Sequence, residues 1–370
     1  MLIAHVTDSF HPRLGGIERQ VADLAARQAA AGHTVHVITR QCGASGVDAG
    51  FPFTVHRVPA GWRAHGRLRA VLAPLRPDVV HAHASVVSPL GWAGVDVAVE
   101  LGVRAVVSVH SLWVGPGVLA ARLAGLKSWA RNRVTVAAVS SLAADRVRRT
   151  CPELPVHVTP NGVDVGWWRV PRPLDRPAGV HVVAVGRLVA RREPMTFLKA
   201  VREVAGAADV RVTVAGDGPE RARAEAYVRR CGLASRVSFA GALRRNDIRD
   251  LLGSADLFVN PARREAFGIA TVEALSAGVP VLAMAESGVN DFVRHGKNGF
   301  LCEPGVALAD GLWTMVTDHD LRRSTAGFAR DHPLDAFDWS RVLARWDSLY
   351  APGTLRSPSA DPLSHCPGRT

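Results

Sequence analysis

Glu265 and Glu273 stand eight residues apart in the segment REAFGIATVEALSAGVPVLA (264–283), a spacing that places two carboxylates around the start of one helix. Upstream, ADLFVNPA (255–262) is an apolar run fit for a buried parallel strand. Downstream, 268–277 has helical spacing that Gly278 and Pro280 end. Glu265 is therefore expected in a strand-to-helix loop. Ligands of open α/β sheets bind beyond the carboxyl ends of the strands, and the unpaired N–H groups and positive dipole end of the following helix attract a diphosphate. Glu273, about one turn into that helix, is a bidentate acceptor suited to two adjacent ribose hydroxyls, while Glu265 is placed to accept hydrogen bonds from a transferred sugar. Two glutamates at this spacing are by themselves more often solvated surface charges. Their embedding points instead to a nucleotide-sugar site.

Other residues with chemical potential fall at the ends of apolar runs. PRLGGIERQV (12–21) follows the first strand and opens a helix whose apolar face includes Ile17, Val21, Leu24 and Ala25. The pair Gly15 and Gly16 lets backbone approach a ligand with no β-carbon in the way, although a tight turn would explain it equally well. Asp8, Arg13 and Glu18 are either ligand-facing or exposed charges, and the sequence does not separate these. His110 ends the strand AVVSV, which puts it at a carboxyl edge as a candidate site residue or a hydrogen-bonded partner of the next loop. His81 and His83 end another strand, but two alternating histidines without further ligands make a poor metal site and are read as structural or acceptor-side. VAVGRLVARREP (183–194) runs from a strand into a loop carrying Arg187, Arg191 and Arg192, cations that could neutralise a diphosphate or stand in solvent.

The elements that must hold these residues alternate short apolar strands with helical patterns, the signature of parallel sheets covered on both faces. Seven strands are expected in a first set, at 2–7, 34–39, 54–58, 78–81, 105–110, 134–139 and 156–159. Five more, at 181–185, 211–215, 237–239, 257–260 and 281–283, form a second. The expected division is a first Rossmann-like domain over 1–169, a proline-rich linker over 170–179, and a second domain over 180–335 that binds the donor nucleotide. A final helix follows at 336–350, and the Pro-, Ser- and Gly-containing tail over 351–370 is expected to be disordered.

Composition narrows the function classes. With 48% hydrophobic and 21% charged residues, the 370-residue chain is globular and long enough for two α/β cores. A formal charge of +12 would prompt a search for nucleic acid or anionic membrane. No aromatic-basic recognition motif supports nucleic acid, and nearly all the basic charge is arginine, the lysines being Lys127, Lys199 and Lys297. Five scattered cysteines, odd in number and without ligand spacing, argue against a disulfide framework or zinc site and suit a cytoplasmic protein. The N-terminus has no basic region, and no apolar run approaches membrane-spanning length. Peripheral contact with an anionic membrane is left open by GVLAARLAGLKSWAR (117–131), which has an amphipathic spacing that a packed surface helix would also show.

The segment around the two glutamates resembles the Glu-x7-Glu motif of retaining glycosyltransferases with the GT-B fold, specifically family 4. The match includes FGI between the glutamates and EALSAGVPV after them. Further blocks recur in order from residue 1 to about 300: the glycine pair, the His110 block, PNGVD (160–164), GRL (186–188) and VAGDGPE (214–220). The resemblance implies two Rossmann-like domains facing across a cleft, with the C-terminal helix crossing back to the first. It also implies transfer of a sugar from a nucleoside diphosphate sugar to an acceptor hydroxyl with retention of configuration. Arg187 and Arg192 would bind the departing diphosphate. Glu265, His110 and the backbone around Phe267, Gly268 and Ile269 would hold the sugar, Glu273 the ribose, and Gly15 and Gly16 would lie beside the phosphates. With cationic side chains and a helix terminus at the diphosphate, neither a metal nor a further cofactor is expected.

The chain departs from the family in having Arg192 where lysine is usual and Glu193 where glycine is usual, and SGVND (287–291) is a degenerate form of another block. Competing expectations are a GT-B-fold epimerase or phosphorylase and, outside enzymes, an arginine-rich protein that binds anionic surfaces. The acceptor, the sugar and the base do not follow from the sequence.

Overall fold

The computed structural model describes residues 1–13, 15–43, 48–59, 61, 63–113, 125–171 and 179–351. They form two compact α/β units. The first comprises residues 1–162 together with the terminal helix, and the second residues 163–338.

In the first unit, seven parallel strands are ordered β3-β2-β1-β4-β5-β6-β7. They are β1 (Leu2–Thr7), β2 (Thr34–Thr39), β3 (Thr54–Arg57), β4 (Val79–Ala84), β5 (Arg104–Val109), β6 (Thr135–Ala138) and β7 (Val156–Val158). Helices α1 (Gly16–Ala30), α2 (Ala64–Leu75), α3 (Pro89–Glu100) and α4 (Ser141–Thr150) connect them. Strands buried on both faces lose the polar alternation of a half-exposed sheet, which is why β4 is buried at every position although it reads VVHAHA.

The second unit starts with the short helix α5 (Val165–Trp168) and continues with β8 (Val180–Val185), α6 (Pro194–Ala205), β9 (Val210–Ala215), α7 (Arg221–Arg230), β10 (Val237–Gly241) and α8 (Arg245–Ser254). Then come β11 (Leu257–Asn260), α9 (Ile269–Ser276), β12 (Val281–Met284), β13 (Gly299–Cys302), α10 (Leu308–Thr317) and α11 (His319–Asp331). The parallel sheet is ordered β10-β9-β8-β11-β12-β13. Both sheets thus share one wiring, in which the chain winds outward from a first strand, returns beside it and winds the other way. The reversal creates a switch point between β1 and β4, and another between β8 and β11, where connections leave in opposite directions and open a ligand crevice.

The division between units differs from the expected domain ends. It falls between Gly162 and Val163, so residues 163–169 belong to the second unit. The reason is local pairing: Val163 N donates to Phe337 O at 2.8 Å, and Arg249 on α8 donates to Trp167 O at 2.7 Å and Arg169 O at 3.2 Å. At the other end, residues 335–337 form a 3-10 turn before the last helix, α12 (Trp339–Tyr350), begins. That helix seats Trp339, Val342, Trp346, Leu349 and Tyr350 against Ile3, Leu24, Val79, Val106 and Ala137 of the first unit. Most of the expected linker, residues 117–124 of the amphipathic segment, and the tail beyond residue 351 lie outside the described residues.

Strand β13 has no counterpart in the sequence reading. Its glycine has a physical reason, since a β-carbon on Gly299 would stand 2.4 Å from Val281 O on the neighbouring strand. Among the described residues, no helix is long and apolar enough to cross a membrane.

Candidate active site

In the second unit, the residues after β8 and β11 meet at the switch point. Glu265 lies in the β11–α9 loop, 6% exposed, and its backbone carbonyl accepts from Gly288 N at 2.8 Å. The degenerate SGVND segment is thus a 3-10 turn that pins the loop carrying Glu265. The Arg192 guanidinium forms an ion pair with the Glu265 carboxylate. Of the two adjacent arginines, Arg191 is exposed and Arg192 is the one turned inward. Burial, with Arg191 and Arg187 as like-charged neighbours, lowers the Arg192 pKa to about 10. Arg192 therefore remains a cation at neutral pH, and the crowding of three arginines favours a polyanion beside them.

Arg187 is positioned by a second loop. Leu188 N donates to Asp217 O at 2.8 Å, Gly186 N donates to Ala215 O at 2.9 Å, and Glu220 N donates to Leu188 O at 2.9 Å. This contact needs glycine twice. A β-carbon on Gly216 would stand 1.9 Å from Gly186 O, and one on Gly218 would stand 2.4 Å from Leu188 O. The VAGDGPE block thus braces the arginine loop from behind. Glu193, where glycine is usual, sits in the left-handed region at φ 53° and precedes Pro194 at the start of α6. Its carboxylate lies 3.8 Å from Arg263 Nε, and it makes no pair with Arg191 among the described residues.

Gly268 precedes α9 at φ 90°, and a β-carbon there would meet Thr271 Oγ1 and Val289 Cγ1 at 3.0 Å. The first-turn amides of α9 with no intrahelical acceptor are those of Ile269 and Ala270, since Thr271 N already donates to Gly268 O at 2.9 Å. Phe267 contributes differently from its neighbours. Its side chain is core, 2% exposed and grouped with Phe292 and Phe337 at centroid separations of 5.4 and 5.7 Å, so only its backbone is available to a ligand. Glu273 is 5% exposed, one turn into α9. The lone Asp-His-Asp sequence, 318–320, lies elsewhere in this unit, where Asp318 caps α11 by accepting from Leu321 N at 2.8 Å.

The first unit has its own constellation at the β1/β4 switch point. Gly15 is extended, and a β-carbon on it would stand 2.3 Å from Glu18 Oε2. The glycine leaves room for Glu18 to fold back over the first turn of α1, where it pairs with Arg13 Nε at 3.1 Å. Gly16 is the first residue of α1 and exposed. Asp8, ambiguous from sequence, accepts from Leu90 N at 3.2 Å and Gly91 N at 3.1 Å and so caps α3. Burial raises its carboxyl pKa, against the lowering effect of these two amides and of Arg40, whose Nε lies 3.4 Å away.

His81, His83 and His110 join His5, which sequence reasoning passed over as part of an apolar strand. His5 Nε2 lies 2.7 Å from Gln28 Oε1, His5 Nδ1 lies 3.0 Å from His83 Nε2, and His83 Nδ1 lies 2.9 Å from His110 Nε2. His81 bridges Tyr350 Oη and Ser108 Oγ, each at 2.7 Å. Ligand atoms of His5, His81 and His83 all lie within 4.8 Å of one another, a spacing that would suit a cation. Yet all six ring nitrogens of these three residues already face a protein partner. The cluster is therefore a hydrogen-bond network. Burial pushes all four imidazoles below the ordinary histidine range, His5 and His110 to about 4.

Two Rossmann-like units of shared wiring, with a cation–carboxylate site at the second switch point, define a GT-B-type glycosyltransferase. Residues 177–332 match the family model Glycosyl transferases group 1, and residues 14–167 match Glycosyltransferase Family 4. Between them they take in most of the chain, which belongs to the group 1 glycosyltransferases. The chain is 28% identical over 370 residues to a component of human phosphatidylinositol N-acetylglucosaminyltransferase, covering 94% of this chain and 75% of that protein. It is 26% identical over 382 residues to a GDP-mannose-dependent α-(1-6)-phosphatidylinositol monomannoside mannosyltransferase of Mycobacterium tuberculosis, covering 94% and 95%. Among solved structures, Anabaena HepE in complex with UDP and glucose superposes with a TM-score of 0.76 at 20% identity, covering 94% of this chain and 98% of that one. Sucrose-phosphate synthase from Thermosynechococcus elongatus gives 0.77 at 21%, with the same coverage. The enzyme is a glycosyltransferase.

Proposed function

We propose that the enzyme moves a hexosyl group from a nucleoside diphosphate sugar to an acceptor hydroxyl with retention of anomeric configuration and without a metal. The observation that carries this reading is the Arg192–Glu265 pair at the β8/β11 switch point, with Arg187 close enough to depress Arg192. The chemistry requires a stabilised diphosphate leaving group and an oxocarbenium-like centre. Arg187, Arg192 and the start of α9 supply fixed positive charge for the first, so that no divalent ion has to. Glu265 and the backbone of Phe267, Gly268 and Ile269 hold the sugar, and Glu273 accepts from the ribose.

The relatives named for phosphatidylinositol acceptors make inositol-containing acceptors the first to try, against UDP- and GDP-linked donors. The deciding experiment is a donor screen with and without acceptor, in excess chelator, followed by NMR of the product's anomeric coupling. Transfer with the donor's configuration kept is expected. An inverted product, or activity abolished by chelation and restored by a divalent ion, would refute the mechanism, and donor turnover to an epimer without acceptor would favour an epimerase.

A further inference from the structure

Glu193 is one of three residues other than glycine that lie in the left-handed region among the described residues, with Arg76 and Arg133. It leaves the 3-10 turn Ala190–Arg192 at φ 53° and ψ 44° and leads straight into α6. Glycine meets that conformation at the least steric cost, and a residue held in it against its preference calls for a reason. The backbone of Glu193 is fixed on both sides. Its N donates to Ala190 O at 3.0 Å, and its O accepts from Thr196 N at 3.1 Å and Phe197 N at 3.2 Å. The side chain therefore departs in a set direction, which leads to the neighbouring loop.

There the carboxylate takes up the backbone of the β11–α9 loop. Glu193 Oε1 accepts from Arg263 N at 3.4 Å, while Oε2 accepts from Thr196 Oγ1 at 3.4 Å and lies 3.8 Å from Arg263 Nε. Each contact is longer than the usual hydrogen bond, but all converge on one carboxylate. The side chain is 25% exposed, so water screens them only in part. On either side the same loop is held by Ala262 N, which donates to Asn260 Oδ1 at 3.3 Å, and by Glu265 O, which accepts from Gly288 N at 2.8 Å. Adjacent residues of the arginine loop thus cross to the β11–α9 loop with opposite polarity. Arg192 reaches the Glu265 carboxylate, and the Glu193 carboxylate reaches Arg263.

The two crossings respond differently to an anion. A diphosphate competes with Glu265 for the Arg192 guanidinium, and that pair loosens as the anion binds. Glu193 has only acceptors to offer, so a phosphate cannot draw it away from Arg263. We propose that Glu193 is a positioning residue that keeps the β11–α9 loop docked on the arginine loop, so that Glu265 stays in place for the sugar after Arg192 has turned to the diphosphate. The catalytic part of this inference rests on the proposed function, but the docking of the loop does not.

Two measurements on the full-length protein test it. Hydrogen exchange followed by mass spectrometry reads the loop itself. In Glu193→Ala, peptides covering residues 261–268 should exchange about fivefold faster, the worth of one hydrogen bond, while β8 stays as protected as in the wild type. Unchanged exchange overturns the inference. Kinetics with UDP- and GDP-linked sugars read the site. Glu193→Ala should lower kcat by about fivefold to tenfold. Affinity for bare UDP or GDP in calorimetry should stay equal or rise, because a negative charge next to Arg192 has gone. Unchanged kcat, or a joint fall of kcat and nucleotide affinity, overturns the inference. Glu193→Gln keeps an oxygen for Arg263 N and should retain about half of the wild-type kcat or more, and a loss as large as that of Glu193→Ala would overturn the anchoring role. Glu193→Gly also relieves the backbone and should be as slow as Glu193→Ala. Recovery of the wild-type rate there would place the effect in backbone strain and overturn the inference as well. A wild-type protein that transfers no sugar from any donor would refute the proposed function, and the exchange measurement would still decide whether Glu193 holds the loop.

Discussion

Replacing Arg192 by alanine separates two roles that the ion pair with Glu265 could serve. If the guanidinium only neutralises Glu265, the loss is one of stability. Breaking a fully buried pair costs about 3–5 kcal/mol because the surviving charge is left without a counterion. Here the Arg192 side chain is 35% exposed and that of Glu265 8%, so water can reach the vacated position, and a loss of about 1–2 kcal/mol is the better figure. If Arg192 also holds the departing diphosphate, turnover falls as well. Removing one preorganised charge contact from a transition state costs about 3 kcal/mol, or roughly a hundredfold in rate. Urea denaturation measures the first quantity, and steady-state kcat on the folded variant measures the second. Arg192→Lys should recover part of the rate, since the charge remains and the planar fork is lost. Near-normal kcat in Arg192→Ala, with stability lowered, would refute the phosphate role and pass it to Arg187 or Arg191.

The two glutamates should separate in binding. Glu273→Ala should weaken bare nucleotide affinity in calorimetry while Glu265→Ala mainly lowers turnover, and equal affinity losses would contradict the assignment. Gly216→Ala should lower both stability and kcat, by about 2 kcal/mol or more in urea titrations, because its β-carbon would collide with Gly186 O at a φ of 136°; a neutral result would show that the bracing loop is pliable. Stability should also fall in acid. The folded pKa values of His5 and His110, about 4, lie below the unfolded value of 6.5, so the unfolded chain binds the extra protons. Their contribution is present above about pH 6.5 and drains away as pH falls toward 4. Denaturation midpoints measured from pH 8 to 4 should show this slope, and should show less of it in His5→Gln.

Much of the architecture was legible because buried parallel strands advertise themselves as short apolar runs, and twelve of the thirteen strands lie where those runs do. The exception, β13, is four residues long and follows the polar stretch HGKN, so no pattern marks it. The Glu265 loop was equally plain, since a strand, a glycine and a helix start stand in one line of sequence. What escaped were pairings across distance. Nothing local tells Arg192 from Arg191, and only the position of the β11 loop decides which turns inward. His5 looks like a strand residue until Gln28 and His83, 23 and 78 residues away, are placed beside it. Gly216 and Gly218 look like turn formers, and their reason is a backbone approached from another loop. The domain end at 169 failed for the same cause, because residues 163–169 are claimed by Arg249 and Phe337.

The membership of α12 in the first unit has a consequence for how the chain is made. The surface formed by Ile3, Leu24, Val79, Val106 and Ala137 is synthesised early, yet its cover, Trp339 to Tyr350, emerges only after the whole second unit. At 5–20 residues per second that interval is roughly 10–35 s. Throughout it the nascent first unit carries an open apolar face, and Gln28 and His81 await Tyr350. The second unit, continuous in sequence, can reach its native form with no such wait. The first unit is therefore the stage of biogenesis at which a chaperone would be needed, and a chain released before residue 339 would be a substrate for proteolysis.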